Sequence, residues 1–335
     1  MALGGVLASS AHASGPAEPT SPRIFGGQEA STCQWPTTAL VTASGSLCSS
    51  VLIHPELVVT AAHCIDLDDP PFDIKFGELH YSPEQKVKVD FCKRSPNYSG
   101  EVGGYDIAFC KLAEPVEEIP PTPVPYGCET SIVQYGWPVT IVGFGRPDDE
   151  NQAGTKRFAE TSILSPVNDD TLEVMIGENG STACNGDSGG PAYVQYPTDG
   201  SWHAIAIVSG GVPGCGLAGR SYVLIEPWIP WMELASGLDL TPCHDRDGTW
   251  NPGPRCGRFA IDPLQDGVSW GDWCASAVSG PNETCGEPYQ GELYDPFPPG
   301  DSDPAGCECR LGRAQDGIGW GLAWLGLIGL TRRRR

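Results

Sequence analysis

The stretch Ala183-Cys184-Asn185-Gly186-Asp187-Ser188-Gly189-Gly190-Pro191 decides how this chain reads. A serine flanked by Gly186 and by Gly189-Gly190 sits in backbone that can turn tightly. Such a turn exposes the hydroxyl and can aim the amides of Gly186 and Ser188 at one point, which is what an oxyanion hole needs. Serine alone is a poor nucleophile, so the reading requires a histidine base and an acid to orient it. Val59-Thr60-Ala61-Ala62-His63-Cys64 supplies the histidine, and Asp106-Ile107-Ala108-Phe109 supplies the acid.

Three motifs in the order His, Asp, Ser resemble the trypsin/chymotrypsin family of serine endopeptidases, and the resemblance covers residues 24–234. Short apolar runs at 39–43, 51–53, 57–60, 74–76, 87–91, 107–112, 139–142, 204–208 and 221–225 read as strands. An all-β fold follows. The resemblance sharpens it to two six-stranded antiparallel β-barrels and a short C-terminal helix over 228–234, followed by a small Cys-containing, loop-rich tail. It implies that His63 and Asp106 come from the first barrel and Ser188 from the second. It also implies that His63 takes the proton of Ser188, that Asp106 holds the imidazole, and that Ser209 stands behind the acid. Gly210 replaces the tryptophan common there, so a more open pocket wall is expected.

The same resemblance pairs Cys48 with Cys64 and Cys184 with Cys215. Cys92 and Cys110 fall on runs expected to be neighbouring strands and are paired for that reason. Cys33 and Cys128 are then left for each other. Zinc is the competing reading of the cysteines, but no Cys-x-x-Cys pair with matching histidines occurs. The loop after Gly77-Glu78 is short, with Glu84 the nearby acid, so no calcium is expected. No metal or cofactor is implied.

Arg23-Ile24-Phe25-Gly26-Gly27 resembles the family's activation site. Cutting after Arg23 would free the Ile24 amine to pair with Asp187. A buried charge is costly without its partner, so the uncut chain should be disordered around Ser188. The position six before the nucleophile shapes the floor of the primary pocket, and here it is Thr182, not the aspartate of trypsin-like specificity. A P1 Lys or Arg would lose its charge partner. Matching Tyr222, Ile225, Trp228 and Trp231 to the family's last strand and helix places Arg220 at the pocket base, with Gly210 and Gly211 on its wall. Granzyme B-like members use an arginine there to select acidic P1 residues. Acidic and small or apolar P1 residues both remain open.

Forty-two acidic residues against twenty basic ones give a net charge of −22, which argues against nucleic acid as a partner. Fourteen cysteines suit an oxidising compartment. Residues 1–23 read as a secretory signal, ending in Ala11-His12-Ala13 and lacking a basic leader, followed by a short pro-segment. The protease domain is taken as 24–236. Residues 237–305 read as a Cys-containing module and spacer, in which Cys243, Cys256, Cys274 and Cys285 form two local bridges. Residues 306–335 combine Cys307-Glu308-Cys309, an apolar run of thirteen residues and Arg332 to Arg335. That run is shorter than the roughly 20 residues of a comfortable span. The pattern resembles the myxobacterial C-terminal sorting tail (MYXO-CTERM), which implies surface sorting and a membrane association through the tail. The partners expected are a protein or peptide substrate and an activating protease, for a monomer. Two rivals stand beside the endopeptidase: a protease-fold binding module without turnover, and an esterase using the same triad.

Overall fold

The computed structural model describes residues 24–263 and Ser279, apart from 44, 148–151, 169, 179, 212–213 and 217–218. Arg23, the signal, Cys274, Cys285 and the sorting tail lie outside the described residues. Among the described residues, runs of β-branched and apolar residues, broken by turn residues, build thirteen short strands. After β1 (Gln28–Glu29), six strands close into a barrel: β2 (Thr38–Ala43), β3 (Ser46–His54), β4 (Leu57–Thr60), β5 (Asp73–Phe76), β6 (Gln85–Arg94) and β7 (Ala108–Leu112). Their order is β2-β3-β4-β7-β6-β5. Gly45, at φ +78°, makes the tight turn from β2 to β3. Cys92 and Cys110 sit directly opposite each other on β6 and β7 and form a disulfide.

The second sheet corrects the expectation of two six-stranded barrels. It contains β8 (Pro138–Gly143), β9 (Arg157–Ser162), β10 (Glu173–Ile176), β11 (Pro191–Gln195), β12 (Trp202–Gly210) and β13 (Arg220–Leu224). With β1 it is seven-stranded and open, in the order β1-β9-β8-β11-β12-β13-β10. The physical reason lies at its two ends. β1 takes the outer edge of β9, pairing Gln28 with Phe158 and Glu29 with Arg157. The chain between β9 and β10 leaves the ladder: Pro166 has no N–H to give, and Asn168 Oδ1 accepts the amides of Asp170 and Thr171 in a side-chain-capped turn. The bridge from Ile163 to Ile176, the Leu164 amide on Met175 O and the Gly177 amide on Ser162 O join the two ends without making a continuous ladder.

The helix α1 (Ile229–Ser236) ends at Gly237, whose φ of +74° suits a left-handed cap. The two sheets share a core in which Trp35 stacks on Tyr193 and meets Trp202 edge-on. Residues beyond α1 also belong to this body. Leu240 is buried in the shared core, and Tyr126 Oη donates to Arg246 O at 2.9 Å. The amides of Trp202 and Trp35 donate to Ala260 O and Pro263 O. Cys243 and Cys256 are bonded to each other.

One buried cation crosses the interface between the sheets. Lys156 is fully buried; its Nζ donates to Gln34 O at 3.3 Å and Trp35 O at 3.2 Å, and lies 3.7 Å from Glu78 Oε1. Burial pulls its ammonium down to about 8, with Glu78 opposing the shift. The unfolded chain, with an ordinary lysine near ~10.4, holds the proton more tightly across the interval between. Stability from this residue is therefore lost as pH falls through the folded value and rises from pH 8 upward. Urea melts should show the wild type gaining about 2 kcal/mol relative to Lys156→Met between pH ~8 and ~9.5. A difference independent of pH would contradict the assignment.

Candidate active site

His63 is held on a 3-10 turn, Ala62–Cys64, that follows β4. Ala61 and Ala62 are buried beneath it, and the Cys48–Cys64 disulfide ties the turn to β3. Asp106 lies just before β7, fully buried, in a turn closed by its amide on Gly103 O. Its Oδ1 accepts the His63 backbone amide at 2.8 Å, and Oδ2 lies 2.7 Å from His63 Nδ1. Ser209 Oγ donates to Oδ2 at 2.7 Å and accepts the Gly103 amide at 3.0 Å. A carboxylate only accepts, so the proton of a neutral His63 sits on Nδ1 and Nε2 is left with its lone pair. The imidazole is 30% exposed, open to a substrate on that side.

Ser188 meets this turn across the cleft between the sheets. Its carbonyl accepts the Ser49 amide at 2.8 Å and lies 3.7 Å from Cys64 Sγ. The following glycine is obligatory: a Cβ on Gly189 would stand 2.2 Å from Thr60 Oγ1 and 2.4 Å from Ser49 O. Asn185 O accepts the Arg146 amide at 2.8 Å. That bond turns the carbonyl of the 185–186 peptide away and points the Gly186 N–H the opposite way, since the two are antiparallel across a trans peptide. Gly186 itself needs its φ of +98°. Neither the Gly186 nor the Ser188 amide is bonded to another described residue. These are the donors an oxyanion would use.

Behind the serine, Asp187 is buried. Its carboxylate accepts the Gly145 and Cys184 amides at 2.7 and 2.8 Å and lies flat on Gly143 and Gly145. Burial raises it to about 6 despite both bonds. Ile24 is buried in the core of the second sheet. Phe25 bridges to Thr182, whose amide donates to Phe25 O at 2.9 Å.

Thr182, Gly211 and Arg220 gather around residues 214–216, with Phe25 against the same stretch and Val102 against Gly210. Thr182 is fully buried, and its Oγ1 accepts the Gly216 amide at 3.0 Å, so it braces the wall. The Phe25 ring lies against Gly216 from behind: a Cβ there would come within 2.1 Å of it. Arg220 is buried and spans both walls. Its Nε donates to Ala183 O at 3.0 Å, Nη2 donates to Gly214 O, and its side chain lies against Gly211. Cys184–Cys215 links the same walls. The wall at Gly210 is not bare. Val102, from the loop that carries Asp106, lies where a side chain would stand, its Cγ1 2.9 Å from an ideal Cβ. Phe25 and Val102 gave no signal of their own in the sequence; only the fold brings them here.

Cys33 and Cys128 are each disulfide-bonded as well, outside the four pairs named above. Among the described residues, the one group of potential metal donors is Cys48, His63 and Cys64. Its sulfurs are joined to each other and its imidazole N–H is committed to Asp106, so it is a strut beside the base.

The family model described as trypsin matches residues 24–232. Mouse vitamin K-dependent protein C is 29% identical over 229 residues, covering 61% of this chain and 49% of that one. Rat protein C is 28% identical over the same length. Mouse tryptase is 29% identical over 265 residues, covering 68% of this chain and 94% of its own. The chain thus spans about half the length of the protein C relatives. With the model matched across both sheets and the triad, the chain belongs to the trypsin family.

Proposed function

We propose that this protein is a serine endopeptidase, made as a zymogen, that cleaves after acidic residues. The observation that carries the activity is the single constellation of His63 on Asp106, Ser209 behind them, and two unengaged amides at Gly186 and Ser188. In the reaction, His63 Nε2 takes the Ser188 proton as Oγ attacks the scissile carbonyl. The two amides receive the oxyanion. The imidazolium, stabilised by Asp106, gives its proton to the leaving amine, and water releases the acyl group by the same path reversed.

Arg220 supports the acidic P1 reading. It is a buried guanidinium beside Gly211, fixed by the carbonyls of Ala183 and Gly214, with Thr182 in place of an acid. A fork of this kind suits a carboxylate. Activation by a cut after Arg23 is supported by Ile24 and Asp187: a freed ammonium at Ile24 would give the buried carboxylate the partner that burial demands. The cysteine-rich composition and the pattern of 306–335 support secretion and attachment at the cell surface.

Protein cut after Arg23 should be offered a mixed peptide library, with Ser188→Ala as control. Cleavage after Asp and Glu, absent in the control, is the expected result; cleavage spread evenly over P1 residues contradicts the Arg220 reading, and none at all contradicts the enzyme. An enzyme of this selectivity does not cut after its own Arg23. Ser188→Ala precursor mixed with mature wild type should stay intact on a gel, whereas added trypsin converts it; conversion by the mature enzyme alone would refute the acidic preference.

A further inference from the structure

Residues 240–263 lie against the protease body, and three histidines are buried where the two meet. Main-chain bonds hold this seam: the Trp202 amide donates to Ala260 O, the Trp35 amide to Pro263 O, and Tyr126 Oη to Arg246 O. The two chains touch at Gly127 and Gly248, where a Cβ on Gly127 would stand 2.3 Å from Gly248 O.

Each histidine is placed to be uncharged. His54, at the end of β3, accepts the Glu56 amide on Nδ1 at 3.0 Å, so a proton on that nitrogen would break the bond. The charges facing it, Arg255 of the extension and Lys111 of β7, are both positive. His203, on β12, has Nε2 2.9 Å from Ser201 Oγ. The Ser201 hydroxyl donates to Asp199 Oδ1 at 2.6 Å, so Nε2 is the donor and Nδ1 is left bare. Nδ1 has no hydrogen-bond partner and lies 3.8 Å from Glu129 Oε2, which accepts the Tyr126 amide. The rings of Tyr196 and of Phe259 from the extension flank this imidazole, with His244 the nearby positive charge if protonated. His244, on the extension itself, sits edge-on to Tyr126 and Trp250. The charged groups around that tyrosine are Glu226, Glu233, Arg246 and Asp247.

Burial holds all three imidazoles low, His54 and His244 at about 4 and His203 at about 3. A detached histidine takes its proton near ~6.5. The open form therefore binds up to three more protons, and the stability of the closed seam, complete above that value, is lost as pH falls toward the folded values.

We propose that this seam is an acid-sensitive clasp, closed over uncharged His54, His203 and His244 and opened when acid protonates them. Opening uncovers Trp35 and Trp202, which join the two sheets, so the catalytic body keeps its shared core only while the extension is in place. The clasp is independent of the triad and of which P1 residue is preferred.

Hydrogen exchange in full-length Ser188→Ala protein, read by mass spectrometry from pH ~7 to ~4.5 with each rate divided by the intrinsic rate at that pH, tests it. Peptides from 240–263 and 201–205 should lose protection together, and before β5, whose Ile74 and Phe76 belong to the first barrel's own core. The opening constant should rise by as much as about a thousandfold per pH unit between ~6 and ~4.5, a factor of about ten for each histidine. His54→Asn, His203→Gln and His244→Phe together keep an acceptor, a donor and a ring in place without a titrating nitrogen, and should hold that protection flat. Protection unchanged across the range in the wild type, lost in step with β5, or lost equally in the triple variant overturns the proposal. Nitrogen NMR of the wild-type imidazoles decides it if the variant fails to fold. All three rings should keep neutral-ring shifts, with His54 and His203 both protonated at Nε2, for as long as the seam is closed. A ring among them that charges near pH ~6.5 in the closed seam overturns the clasp.

Discussion

Asn in place of Asp106 is expected to lower kcat by about four orders of magnitude, with KM within a few-fold of the wild type. The reason is the set of donors around the carboxylate. Oδ1 accepts a backbone amide, that of His63, which cannot change its role. Oδ2 faces His63 Nδ1 and the Ser209 hydroxyl, both of which can. The carboxamide must therefore put its oxygen at Oδ1 and its NH2 at Oδ2. That NH2 donates to Nδ1 and drives the proton to Nε2, where the base is needed. The ring stays in place and substrate still binds, but His63 cannot accept the Ser188 proton. Peptide hydrolysis by protein cut after Arg23 measures the loss, and an unchanged melting temperature separates it from unfolding. A loss under tenfold would mean that Asp106 does not set the tautomer.

Arg220→Gln is expected to lower the ratio of kcat/KM for Asp over Ala at P1 by about a hundredfold or more. Glutamine keeps an NH2 group to hold one wall carbonyl but carries no charge. The variant thus separates recognition of an acid from support of the wall. Activity on the Ala peptide should persist, since Ser188, His63 and Asp106 are untouched. If the ratio is unchanged, Arg220 serves only to tie Ala183 and Gly214 together across the pocket.

The triad was legible because each of its residues lies in a short run whose chemistry is local: the His63 turn, the Asp106 loop, the glycine-bounded Ser188. The strands that were legible carry either a buried apolar run, as in β4 and β12, or apolar residues alternating with charged ones, as in β5 and β6. Those not foreseen are β1, β9, β10 and β11. β1 is two exposed residues that exist only as an edge for β9. β9, Arg-Phe-Ala-Glu-Thr-Ser, carries buried polar side chains that no hydrophobic pattern marks, Arg157 reaching Glu29 at 2.9 Å. The same blind spot explains why the second sheet was taken as a closed barrel. Closure depends on whether the chain between β9 and β10 pairs continuously, and between Leu164 and Asn168, where Pro166 stands, it does not. Val102 was invisible for a related reason: an isolated valine in a glycine-rich loop acquires meaning only when the fold lays it over Gly210. Lys156, the fully buried cation between the sheets, was hidden likewise, because its partners are the carbonyls of Gln34 and Trp35, far away in the chain.

The most direct test of the account is covalent labelling of protein cut after Arg23 by a peptidyl phosphonate with Asp at P1, read by mass spectrometry. A single adduct on Ser188, lost in Ser188→Ala and sharply slowed in Asp106→Asn, is the predicted result. No adduct on a protein whose new N-terminus is confirmed as Ile24, or an adduct on another serine, would contradict a nucleophile at Ser188.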